Sequence, residues 1–327
     1  MSARGARPLL ISVGMKTIAA ASLALVLSAC VVGSEAPGGG DDDVPPPTGI
    51  AGSITSNQTW SGAQTITANA TIEAGVTVTV TAGAAIEAKD GVTLRVKGTL
   101  RVEGTEAAKV TFLPTVDALA WAGIVADAGG TVDLAHVEGT DVATLVYCHA
   151  GATCDLDHVV FDDLGKALVV EGTATLTRSR ISKVMNGGIT VSNGDLTITD
   201  SYMLTSSGDV IVQNGGSLVI DHSEVGEAMG SYEHCNLHIG SAATLRITNS
   251  NIRSGVYGMM LGGTSGAVMQ YNNWTENGAG TDLSEVGVNT SVDLRFNYWD
   301  QGAPNLGAAF DVASPAATPI AGAGPRP

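Results

Sequence analysis

Six polar side chains recur about one repeat apart in this sequence: His136, His158, Arg178, Asp200, His222 and Asn249. Imidazole, guanidinium and carboxylate groups in a line can pass protons near neutral pH, or hydrogen-bond the hydroxyls of a sugar chain lying across them. All six are therefore candidates for binding, and His158, Arg178, Asp200 and His222 for acid–base catalysis. The same column also reads as a solvated strand face whose mixed charges discourage edge association. Two acidic pairs, Asp155/Asp157 and Asp162–Asp163, offer carboxylates to a cation, although such pairs are common solubilising features of turns. Cys148 and Cys154 flank one corner of the repeat, and either a disulfide or two buried thiols suits them. Cys235, about four repeats further on, is expected to be free. His234 and His238 stand on either side of it, a sparse metal-binding pattern that strand alternation explains as well.

The elements that position these residues are set by a pattern repeated eight times between Gly130 and Trp299. Copies such as GTATLTRSRI (172–181), GDLTITDSYM (194–203) and GSLVIDHSEV (216–225) begin at Gly130, Ala152, Gly172, Gly194, Gly216, Ala243, Ser265 and Thr290. With the first residue counted as zero, positions two and four are apolar, for example Leu196 with Ile198 and Leu218 with Ile220. Polar Thr175, Thr197, Thr177 and Thr199 lie between and after them, the alternation of a strand with one buried face. Position nine is apolar again, from Phe161 to Trp299, with Gly139 the exception. Position seven holds Ser179, Ser201, Ser223, Ser250, Asn272 and Asn297, which predicts a ladder of small polar groups at a corner.

A period near 22 residues with two or three short strands per unit is that of a solenoid, and it is too short for a propeller blade. The expected fold is all-β: a single right-handed parallel β-helix of roughly 11 coils, about 22 residues each, spanning near 50 Å at the usual strand spacing. The expected organisation is a leader over 1–29, a tether over 30–53, the β-helix over 54–305, and a tail or cap over 306–327.

Ile18 to Ala29 is a largely apolar run too short to span a bilayer as a helix. It ends in Leu27-Ser28-Ala29-Cys30, which resembles a bacterial lipobox; Met15 offers an alternative start. By that resemblance Cys30 carries the acyl chains, palmitate among them. The Val31 that follows favours the outer membrane over the inner one. Residues 31–50, VVGSEAPGGGDDDVPPPTGI, have the composition of a flexible spacer. Removing residues 1–29 removes Arg4, Arg7 and Lys16 and no acid, which takes the formal charge from −16 to −19. Such a surface repels nucleic acid, and anionic polysaccharide unless cations intervene.

A second resemblance lies in the folded region. Val78-Thr-Val80 with Gly83, Leu94 to Leu100, Gly104-Thr105, Val110-Thr-Phe112 and Trp121 to Ile124 resemble the entry coils of bacterial right-handed parallel β-helix surface proteins of the pectate-lyase-like superfamily. Asn297-Tyr298-Trp299 and Gly302-Ala-Pro304 resemble the element that ends many such helices, with Asp300 departing from its usual Gly. The likeness covers about 57–305 and concerns the fold, which hosts enzymes, adhesins and scaffolds alike. Lyases of this fold hold Ca²⁺ on clustered carboxylates, which would give Asp162 and Asp163 a metal role and make calcium the cofactor of an enzyme. The N-T-D and G-H-G motifs of its galacturonases are absent.

These readings lead to the expectation of a non-catalytic, lipid-anchored envelope protein that needs no cofactor and presents an acidic β-helix for binding or adhesion, to a polysaccharide or another envelope protein, or for structural assembly. The alternative is a polysaccharide lyase or glycoside hydrolase. Mass spectrometry of the mature N-terminus should find a lipid-modified Cys30, and Cys30→Ser should leave the chain unprocessed or released.

Overall fold

The computed structural model describes residues 49–228, 234–278 and 282–327; the leader, Cys30 and nearly all of the tether lie outside the described residues. Every regular element among the described residues is a β-strand, and every pairing between strands is parallel. Coils of about 22 residues stack through about 11 turns into a single parallel β-solenoid of right-handed type. Each strand pairs with its equivalent one coil further on, which gives three ladders. The first contains Thr173–Thr177, Asp195–Thr199, Ser217–Asp221 and Thr244–Thr248. The second contains Tyr202–Ser206, Glu224–Ala228, Asn251–Arg253 and Asn273–Thr275. The third contains Ile189–Ser192, Ile211–Asn214, Cys235–Ser241 and Tyr257–Leu261.

The register is that of the sequence columns. Leu134, Leu156, Leu176, Ile198, Ile220, Ile247 and Met269 lie over one another, each paired with the next. They belong to one continuous apolar core from Ile54 to Phe310. Gly139 breaks the position-nine column because its neighbours fill the space: a Cβ there would sit 2.2 Å from the Phe112 carbonyl oxygen and 2.5 Å from the Phe161 ring.

The corner after the first sheet fixes the cross-section. Position six adopts the left-handed conformation in every copy, with φ between 44° and 65° from His136 to Phe296. That turn swings position seven into the interior, where Ser179, Ser201, Ser223, Ser250, Asn272 and Asn297 are all buried. Each of their side-chain oxygens accepts the backbone N–H of position seven one coil earlier. The distances are 2.9 Å for Val159 to Ser179, 3.0 Å for Ser179 to Ser201 and 3.2 Å for Ser201 to Ser223. They continue at 3.1 Å to Ser250, 2.9 Å to Asn272 and 2.8 Å to Asn297.

Residues 306–327 cap and strap the stack. Phe310–Asp311 pairs with Val292 and Asp293 as the final strand of the first ladder. The segment beyond then runs back over earlier coils. The Ala316 N–H reaches the Asn297 carbonyl, the Ile320 N–H the Asn273 side chain, and the Gly324 N–H the Asn249 carbonyl.

Ile198 is fully buried and Thr197 exposed. Ile198→Asp should therefore destabilise by about 3 kcal/mol or more, and Thr197→Asp by less than about 1 kcal/mol. Ser201→Ala removes the acceptor of the buried Ser179 N–H and should cost about 1–3 kcal/mol. Urea unfolding of the three variants checks the order.

Candidate functional site

The position-six column forms a line down one corner, so the six candidates are neighbours across successive coils. Their side chains, however, are largely committed to neighbouring side chains of the same chain. The His136 and His158 rings stack with centroids 4.3 Å apart. His158 Nδ1 lies 3.1 Å from Asp157, whose carboxylate also takes a bidentate grip from Arg178 at 2.7 and 2.8 Å. Burial pushes the Asp157 carboxyl up, but the bonds from Arg178 and His158 outweigh it and hold the group below the usual range. His222 Nδ1 lies 2.8 Å from Asp221, and that carboxylate also accepts from Thr248 and Asn249. Asp200 is held by Arg326 of the returning segment at 2.7 and 2.8 Å, which lowers its pKa. The strap thus lies on Asp200 and Asn249, two of the six candidates.

The acidic pairs are similarly engaged. Lys183 Nζ bonds Asp162 at 2.8 Å and Asp163 at 3.2 Å. Asp155 accepts from Thr175 at 2.8 Å. Cys148 and Cys154 are joined in a disulfide, with Cα atoms 6.3 Å apart, which closes the turn between them. Cys235 is a free, buried thiol.

The open concave surface lies one face round, on the second sheet. A groove of about 410 Å³ crosses four coils, between Thr111 and Leu113, Glu138 to Thr140, Val160 with Asp162, and Arg180 with Ser182. Leu113 and Val160 are 37% and 41% exposed there, flanked by hydroxyls and charges. Lys109 neutralises Glu138 at 3.0 Å, and Lys183 neutralises Asp162. Arg180 has no ion-pair partner among the described residues; its guanidinium lies 5.4 Å from the centroid of the Tyr202 ring in the next coil. Position eight also supplies Asn251 and Asn273 further along the same column, and there the strap covers the face.

None of the protein-family models, curated proteins or solved structures compared with the chain matches it. Arg180 and Tyr202 carry no signal in the sequence beyond their shared column, and Arg326 sits in a segment without periodicity.

A second hollow, of about 540 Å³, lies near the far end, between Asp282 to Glu285 and Gln301 to Gly307. Asp282 is only 2% exposed, and burial pushes its carboxyl up to about 6, although Asn277 donates to it at 2.8 Å. Because the folded pKa lies above the unfolded one, the stability linked to this proton is complete below about pH 4. It is lost as pH rises through about 6. Asp282→Asn should therefore flatten the pH dependence of the melting temperature between about 4 and 7 and stabilise the chain at pH 8 relative to wild type.

Proposed function

We propose that this chain is a lipid-anchored protein of the bacterial cell envelope, and that its β-solenoid binds a neutral glycan along the groove of the second sheet without cleaving it. The observation that carries this reading is the pairing of an aromatic ring with a guanidinium that has no ion-pair partner among the described residues, Tyr202 and Arg180, beside a groove whose flanking carboxylates are already neutralised. Aromatic faces pack against sugar rings, and guanidinium forks bond vicinal hydroxyls. Coils about 4.8 Å apart place successive contacts at a spacing close to that of successive sugars. The acidic exterior disfavours anionic chains, which points to uncharged ones.

The acid–base candidates argue for binding over catalysis. His158, Arg178, Asp200 and His222 each answer to a neighbouring charge of this chain, an arrangement suited to holding a corner. The lipobox and spacer suit a module held off a membrane surface, and the pectate-lyase-like resemblance of the entry coils supports an extracytoplasmic setting. A glycan array and a depolymerisation assay with Ca²⁺ present test the proposal. Wild type should retain intact neutral glycans, and Arg180→Ala/Tyr202→Ala should bind them about tenfold or more weakly. Chain cleavage lost in Arg178→Ala/His222→Ala would replace the reading with the lyase or hydrolase alternative.

A further inference from the structure

The third sheet carries a separate cluster, contributed by two consecutive coils. Asp209 stands just before Ile211–Asn214, and His234, Cys235 and His238 stand at and within Cys235–Ser241, the next strand of that ladder. Asp209 is central to it. One of its carboxylate oxygens lies 3.2 Å from the Cys235 sulfur and 3.7 Å from His234 Nδ1, and the other lies 3.3 Å from His238 Nδ1. The donor atoms of Asp209, Cys235 and His238 all fall within 4.8 Å of one another. Sequence alone does not reveal this set, because Asp209 precedes Cys235 by 26 residues and meets it only through the stacking of coils.

We propose that Asp209, Cys235 and His238, with His234 beside them, form a binding site for a divalent transition-metal ion of the zinc type, which clips the two coils together. Geometry supports this first. Tetrahedral zinc, with bonds of about 2.0–2.3 Å to nitrogen, oxygen and sulfur, sets its ligand atoms about 3.3–3.6 Å apart. The Cys235 sulfur and His234 Nδ1 lie 3.2 and 3.7 Å from one Asp209 oxygen, and His238 Nδ1 lies 3.3 Å from the other, distances close to that range. Ligand chemistry supports it next. A thiolate, two imidazoles and a carboxylate suit zinc and its neighbours and disfavour the all-oxygen cations Mg²⁺ and Ca²⁺. Asp209, Cys235 and His238 supply three mutually close donors, and His234, whose Nδ1 lies 3.7 Å from Asp209, is the candidate that would complete a closed, structural set.

The surroundings point the same way. Cys235 is wholly buried yet stands apart from the apolar core, turned towards a carboxylate. Its own backbone N–H donates to Asp209 at 2.8 Å and so fixes the orientation of that ligand. Binding releases the Cys235 proton to solvent, and two anionic ligands then balance the 2+ charge, leaving a neutral site. His234 and His238 are partly exposed and provide the route of entry.

The test uses the full chain freed of metal with a chelator and titrated with Co²⁺, then Zn²⁺. Wild type should show the intense visible bands of tetrahedral cobalt together with a sulfur-to-cobalt charge-transfer band. Zinc should displace the cobalt at one ion per chain. Cys235→Ser should abolish the charge-transfer band, and Cys235→Ser/His238→Ala should weaken zinc binding by about 100-fold or more. Absence of the charge-transfer band in wild type overturns the proposal, as does stoichiometric zinc retained unchanged by the double variant. Should that variant fail to fold, alkylation of wild-type Cys235, mapped by peptide mass spectrometry, decides. Protection by zinc of tenfold or more supports the site, and equal labelling with and without zinc removes it.

Discussion

The structure depends on how one backbone N–H is satisfied at one corner. Along the flat strands the parallel ladder pairs donors with carbonyls of the adjoining coil. At the corner the chain turns through a left-handed residue, and the regular pattern fails. The N–H of position six still reaches the position-five carbonyl of the following coil, as Arg178 does to Thr199 at 3.0 Å. The N–H of position eight reaches back to the position-seven carbonyl of the preceding coil, as Tyr202 does to Ser179 at 2.8 Å. The N–H between them has no carbonyl partner and is buried, which is costly if left unmade. The oxygen of a small side chain from the next coil supplies the bond, and this is why position seven is Ser or Asn through six coils. With that bond made, position nine faces the core and position eight faces out, on the side that carries the groove.

This requirement also explains the character of position six. A left-handed φ is unusual for His, Arg, Tyr or Phe, and the cost recurs in every coil. Ring stacking and ion pairing between successive coils help to offset it, His136 on His158, Tyr271 on Phe296 at 5.2 Å and Arg178 on Asp157, as does Arg326 of the strap on Asp200. A column of groups with catalytic chemistry can thus be a set of corner fasteners.

The sequence revealed most where one column has one physical task. Apolar positions two, four and nine, and the Ser/Asn position seven, each face a uniform environment, so their residue types repeat and the core could be read directly. Position six was ambiguous because its constraint acts on the backbone, and neither glycine nor a run of asparagine marks the turn. The groove was hidden for a different reason. Thr111, Glu138, Val160 and Arg180 share a face across four coils without sharing any chemistry. Asp209 was invisible beside Cys235, since only the stacking brings them together. The strap was unreadable because Ala316, Ile320 and Gly324 bond through their backbones, which leaves no pattern in their side chains.

That strap changes how the solenoid should come apart. A stack of coils coupled only to nearest neighbours behaves as a one-dimensional chain that frays from its free end, one unit at a time. Here the segment that closes the last coil is fastened again at Asn273, at Asn249 and, through Arg326, at Asp200, three coils before Asn273. Loss of the terminal coil therefore removes contacts from coils that are not its neighbours, and this second-range coupling suppresses stepwise fraying. The stack from Asp200 onward becomes a single cooperative block, while the coils before Asp200 keep the graded, local melting of an unstrapped repeat.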